Sequence, residues 1–198
     1  MLRKYTCAPI VFAILMSVAK TEPSHYFYNG AGIGLESMKT RAENTTKDES
    51  EKKSERGLLV DIFIGCHKQF ERFFMGLQGN AVFHTATTKT EIDSKGISTR
   101  KRHSFGVSLR SGCKIGKDVS GYVVFGTSVA KYKIRNSENK ANPLKPSWFV
   151  GFGLEKSIGD MFVRGEIDRV LKRGIAKVGN AKISADSYEI RFGGGYKF

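Results

Sequence analysis

The side chains best suited to proton transfer, nucleophilic attack or metal binding in this 198-residue chain are four histidines, three cysteines and a scatter of carboxylates. His25, His67, His84 and His103 show no metal-ligand spacing. The glycine-rich "GAGIGLE", Gly30 to Glu36, lies in a strand-like stretch and lacks the helix a phosphate-binding loop requires. Asn44-Thr45-Thr46 matches a glycosylation sequon, a short pattern that by itself assigns no site. We therefore expect no catalytic residue, no metal and no cofactor. The more informative charges alternate along the chain: Glu36, Asp61, Glu155, Glu166, Asp168 and Glu189 against Arg110, Arg164 and Arg191. Each occurs one position away from apolar neighbours, which is the spacing of a strand with two unlike faces.

The elements that must carry these charges follow from the same alternation. "HSFGVSLRSGCKI" sets Phe105, Val107, Leu109, Cys113 and Ile115 against Ser104, Gly106, Ser108, Arg110, Gly112 and Lys114. Read throughout, the pattern predicts eight strands: Tyr26 to Thr40, Gly57 to Gln69, Arg72 to His84, His103 to Ile115, Ser120 to Lys133, Ser147 to Lys156, Met161 to Leu171 and Ser187 to Phe198. Each is long enough to cross a bilayer at a tilt, about 9 to 11 residues or slightly more. Cys66 and Cys113 fall on one face of non-adjacent strands, roughly 9 to 10 Å apart at ideal spacing. A disulfide needs Cα atoms within about 7 Å, so no bridge is expected. His67 sits near a turn on the polar parity and His25 precedes the first strand, and both read as structural or solvated.

Connections alternate between long polar segments, residues 41–56, 85–103, 133–146 and 171–186, and tight turns at "KQFER", "GKDV" and "SIGD". Long loops at one end and short turns at the other describe a barrel oriented in a membrane. Ahead of the barrel, Arg3 and Lys4 precede the uncharged run Ala8 to Ala19, so residues 1–19 read as a secretory signal peptide and residues 20–198 as the barrel. The competing reading, a membrane anchor, needs a longer run of about 20 apolar residues.

A soluble barrel would bury the apolar parity, whereas a membrane barrel turns it outward. Three features favour the membrane. The polar parity is rich in glycine, which suits a narrow eight-stranded interior. It mixes charge signs, which allows pairing across a small lumen. Aromatic residues gather at strand ends on the apolar parity, with Phe70, Phe73, Tyr196 and Phe198 at the turn end and Trp148 and Tyr188 at the loop end, as two interfacial girdles.

The final "RFGGGYKF" resembles the terminal strand signal of bacterial outer-membrane proteins, with Arg191, Gly193, Tyr196 and Phe198 in the matching positions. The whole pattern resembles the eight-stranded antiparallel up-and-down outer-membrane β-barrels of the OmpA transmembrane domain, OmpX/Ail and opacity-protein type. That resemblance implies a bacterial outer-membrane location, handling by the barrel assembly machinery, and a structural, adhesive or surface-antigen role rather than catalysis. Some barrels of this size modify lipid A with a His-x-Ser pair. Here His103 is followed two residues on by Phe105 and His84 by Ala86, so that motif is absent. A narrow porin-like channel or a lipid A-modifying enzyme is the alternative.

The formal charge of +14 points to anionic surroundings. Residues 41–56 are neutral overall, while 85–103, 133–146 and 171–186 carry net +3 each. Lys39, Lys131 and Arg169 stand on the apolar parity only at loop-proximal ends, where they can reach headgroup phosphates and are expected to contact lipopolysaccharide. Host-surface polymers or proteins are further expected partners of the basic loops. Nucleic acid is not, since no recognition helix, finger or stacking motif is present.

Overall fold

The structure, a computed structural model, describes residues 25–44, 50–70, 72–92, 95–135, 140–178 and 181–198. The expected signal peptide at 1–19 lies outside them. Among the described residues ten strands follow in chain order: β1 (His25–Asn44), β2 (Ser50–Phe70), β3 (Phe73–His84), β4 (Thr87–Ile92), β5 (Lys95–Lys114), β6 (Val119–Arg135), β7 (Lys140–Ala141), β8 (Leu144–Ile158), β9 (Met161–Val178) and β10 (Ala181–Lys197). All pairings are antiparallel, β1 pairs with β10, and β5 pairs with β6, so the sheet closes on itself. Eight long strands make the wall, and β4 and β7 are short additions on the loop side.

Alternation sorts the two faces. Ile33, Leu35, Ile62, Val107, Phe125, Phe152, Val163, Ile190 and Phe192 lie exposed on the outside, each between 41 and 68% accessible. The residues between them, Gly32, Asp61, Ser108, Val124, Arg164 and Arg191 among others, point inward and are buried. An apolar belt this continuous is stable only against lipid. Closure leaves no unpaired strand edge at belt level, which a hydrocarbon environment demands. The molecule is a transmembrane β-barrel.

The strands outrun their expected limits on the loop side. Ladder pairing continues through Glu43↔Ser50, Asn44↔Ala181 and Ala181↔Val178, so β2, β1, β10 and β9 rise beyond the belt as one four-stranded blade. Opposite it, β4, β5, β6 and β7 form a second blade, paired through Ile92↔Lys95, Ser98↔Arg135 and Ile134↔Ala141. Much of what reads as loop in 41–56, 85–103, 133–146 and 171–186 is therefore sheet. Apolar alternation ends at the membrane surface, but backbone pairing needs no apolar face and continues into Thr- and Lys-rich sequence.

The blades part at two seams. Register between β2 and β3 stops at Leu59↔His84, where Thr85 takes over: its Oγ1 accepts from Leu58 N at 2.8 Å and its N–H donates to Leu58 O at 3.0 Å. Beyond this point the chain leans inward across Gly57. A Cβ on Gly57 would lie 2.5 Å from the backbone nitrogen of Ala86, so only glycine admits this approach. Ala86, Thr88 and Thr99 are consequently fully buried and roof that side of the lumen. The other seam lies between β8 and β9, whose pairing ends at Phe149↔Val170.

Candidate functional site

The lumen is filled in layers. At the turn end the His67 ring packs among Tyr26, Tyr28 and Phe74, with centroids 5.2, 4.7 and 4.8 Å away. Above it Tyr28, Phe63 and Phe162 cluster, and two guanidinium groups lie against rings: Arg164 is 3.5 Å from the centroid of Phe63 and Arg110 is 3.9 Å from that of Tyr122. Glycines make room for these rings; a Cβ on Gly126 would meet Phe149, and one on Gly153 would meet Tyr122. Met38, Ala130, Tyr132, Ile134 and Ile183 fill the loop end.

Between the aromatic floor and this roof runs the charge network. The structure brings all nine expected members, Glu36, Asp61, Arg110, Glu155, Arg164, Glu166, Asp168, Glu189 and Arg191, into the lumen as buried residues. Arg191 pairs with Glu189, with Asp168 at 3.4 Å and with Glu166 at 3.7 Å. Tyr122 Oη donates to Glu166 at 3.0 Å. Arg164 donates to Gln78 Oε1 at 2.7 Å and faces Asp61 at 3.9 Å, while Arg110 faces Glu155 at 3.5 Å. Lys197 closes the turn end on Glu155 at 3.0 Å. Buried charges of this kind persist only when paired.

Besides Lys197, two members at the loop end escape the sequence reading. Lys101 Nζ bridges Glu36 Oε1 at 2.7 Å and Glu189 Oε1 at 2.8 Å. It falls in the segment expected as loop, on the opposite parity to Ser104. A bulge between Lys101 and His103 shifts the register by one, which turns both Lys101 and Ser104 inward. This cation therefore belongs to the lumen and not to the basic rim, whose expected net +9 falls to +8.

The other is His84. Its Nδ1 lies 2.8 Å from Glu36 Oε2 and its Nε2 lies 3.0 Å from Ser104 Oγ. The inward parity of His84 at the end of β3 is the signal that could have found it. Ligand atoms of Glu36, His84 and Glu189 come within 4.8 Å of one another, and the Lys101 ammonium bridges two of the three, Glu36 and Glu189.

On the outside, Ser37, Tyr188 and Arg169 are cross-strand neighbours on β1, β10 and β9, with Lys39 one step above. Lys39 Nζ and Arg169 Cζ stand 5.7 and 5.5 Å from the centroid of the Tyr188 ring, one on each side strand. Above the ring a groove of about 420 Å³ is lined by Lys39, Arg41, Lys52, Lys53 and Asp186 among others. This is a cationic ledge at the upper border of the apolar belt. Lys131 does not join it. It lies on β6, diametrically opposite β1 in strand order, beside His103 and Leu144.

Trp148 stacks on Phe125 with centroids 5.5 Å apart, and Tyr188 is exposed at the same border. At the turn end Phe73, Tyr196 and Phe198 are exposed, Phe70 is half-buried, and Phe198 stacks on Phe27. In the terminal signal Arg191 and Gly193 face inward while Tyr196 and Phe198 face out. Cys66 and Cys113 are unbridged.

No family model matches the chain, and no curated protein matches it. Solved structures do. Neisserial surface protein A aligns with a TM-score of 0.52 at 14% identity, covering 87% of this chain and 97% of that one. Ail of Yersinia pestis, solved with the heparin analogue sucrose octasulfate, gives 0.42 at 16% identity over 86% and 99%. The outer membrane protease OmpT of Escherichia coli gives 0.48 at 8% identity over 92% and 99%. Closed order, apolar exterior and filled ionic lumen define the class as an eight-stranded antiparallel transmembrane β-barrel. Within it, the chain has the fold of the outer-membrane barrel proteins represented by Neisserial surface protein A.

Proposed function

We propose that the protein is a surface-binding barrel of the bacterial outer membrane, with turns on the periplasmic side and blades outside, that engages anionic polymers through its basic rim. The role is structural and adhesive and uses no catalysis. The carrying observation is the ledge of Lys39, Tyr188 and Arg169, placed at the border of the apolar belt on the blade side. Cations there can reach phosphates of the outer leaflet while their stems remain against the belt. The filled lumen supports a binding role over a solute channel, since Arg110, Glu36 and Asp168 occupy the space a solute would need.

The first partner under this reading is lipopolysaccharide, whose lipid A phosphates suit the ledge. Segments 133–146 and 171–186, with net +3 each, extend the positive field outward toward lipopolysaccharide core or host polyanions. Each cation near an anionic membrane surface contributes about 1 kcal/mol. The Lys39→Gln/Arg169→Gln double variant is therefore expected to retain lipopolysaccharide roughly 30-fold more weakly, measured by co-purification from outer-membrane extracts. Lys131→Gln is expected to have the smaller effect of a single separate cation. Equal retention by the double variant and the unaltered protein would remove the ledge from the proposal.

A further inference from the structure

The apolar wall of the barrel carries a dent on its turn-side half. The pairings Leu154↔Gly165, Phe192↔Gly165 and Lys156↔Val163 set these outward residues of β8, β9 and β10 side by side. Gly165 leaves no side chain between Leu154 and Phe192, which are 57 and 65% exposed, and a groove of about 440 Å³ opens there and runs down to Lys156 and Val119. A Cβ on Gly165 would meet only the Phe192 ring, at 3.4 Å, so the space above it is open to an occupant from outside.

Lys156 stands at the foot of this groove, two residues from the end of β8. It is exposed on the lipid-facing parity, and no carboxylate of the described residues pairs with it. Among the described residues the one other strand lysine or arginine on that parity in the turn-side half is Lys68, which is buried with its ammonium 5.4 Å from the centroid of the Phe70 ring. Close to the interface an outward cation costs about 0 to 1 kcal/mol, since its stem can run to headgroup level. Phosphates there supply the counter-charge that the protein does not.

We propose that the groove binds one anionic glycerophospholipid of the turn-side leaflet, phosphatidylglycerol in class. One acyl chain lies over Gly165 between Leu154 and Phe192, and the phosphodiester sits on Lys156. A second copy of the chain fits this face less well. A twofold contact sets the patch against itself, with a Lys156 on each side and no outward carboxylate in this half of β8, β9 or β10 to pair with either. The site lies at the opposite border of the belt from the ledge of Lys39 and Arg169 and is independent of what that ledge binds.

The test uses the full chain folded in phosphatidylcholine vesicles that carry a small fraction of phosphatidylglycerol with a photoreactive diazirine midway along one acyl chain. A parallel sample carries the same probe built on phosphatidylcholine, and labelled residues are mapped by mass spectrometry. Labelling of Val163 and Phe192 by the phosphatidylglycerol probe is expected to exceed that by the phosphatidylcholine probe roughly 5-fold, the effect of one cation at a membrane surface. It is also expected to exceed labelling of Met75 on β3, the strand opposite β9. Lys156→Gln should bring the two probes level. Gly165→Leu fills the groove and should lower labelling of Val163 by both probes to the Met75 level, and the backbone accepts leucine because Gly165 is not at positive φ. Lys39→Gln/Arg169→Gln should change neither. Equal labelling all round the barrel overturns the proposal, as does a Lys156→Gln variant that keeps the preference, or a chemically crosslinked dimer that Gly165→Leu abolishes. Should Gly165→Leu fail to fold, Lys156→Gln decides alone.

Discussion

Lys101→Met is expected to destabilise the folded barrel by about 3–5 kcal/mol, because it leaves Glu36 on His84 and Glu189 on Arg191 and removes the cation that bridged these two buried carboxylates. Glu36 and Glu189 are both buried and both bonded to the same ammonium group, at 2.7 and 2.8 Å. The methionine fills most of the volume, so the loss measures charge and not a cavity. Combining Lys101→Met with Glu189→Gln is expected to recover much of the loss, since one buried charge is deleted along with its partner. Urea titration of the protein in lipid vesicles, followed by gel migration without boiling, reads both values. Lys131→Met, a half-buried cation at the rim, is the control and should stay within about 0.5 kcal/mol. A Lys101→Met variant as stable as this control would mean that the lumen carboxylates are solvated and that the network described here is open to water.

Val107→Arg is the second substitution with a large expected cost, about 2–4 kcal/mol, the price of a cation near the bilayer midplane. Val107 lies outward on β5, between the loop-side bulge at Lys101 and the turn after Lys114, and is 57% exposed. In a soluble barrel an arginine at so exposed a site would cost almost nothing. Its neighbour Ser108 faces the lumen and is buried, so Ser108→Leu tests overpacking instead and is expected to cost about 1–3 kcal/mol. Comparing Val107→Arg in vesicles of increasing acyl length sharpens the reading, because thicker bilayers should raise its cost while leaving that of Ser108→Leu unchanged.

Much of this architecture is legible in the sequence because one physical rule, period-two alternation between lipid and lumen, acts on almost every residue. Val107 and Arg110, or Ile190 and Arg191, can be assigned to opposite faces from parity alone. What parity cannot supply is register. The bulge at Lys101 inverts the faces locally, so a residue on the expected outer parity becomes the central cation of the lumen. The meeting of Glu36, His84 and Ser104 depends on pairings such as Phe83↔His103 and Gly57↔Glu36, which join residues far apart in the chain. Likewise the separation of Lys131 from Lys39 and Arg169 is set by the order of strands round the barrel, although all three share the same local pattern. The blades escaped the sequence reading for a different reason: Thr87 to Ile92 and Ser50 to Arg56 carry no apolar stripe, and their ladders are held by backbone bonds rooted on the barrel beneath.

The most direct measurement is a spin-label scan of β5 from Ser104 to Leu109 in lipid vesicles, one cysteine at a time, with Cys66 and Cys113 replaced by serine. Labels at Phe105, Val107 and Leu109 should collide freely with oxygen, which concentrates in hydrocarbon, and be shielded from a water-soluble nickel chelate. Labels at Ser104, Gly106 and Ser108 should be immobile and shielded from both. Chelate access at the odd positions, or equal behaviour along the strand, would contradict a barrel with lipid outside and paired charge within.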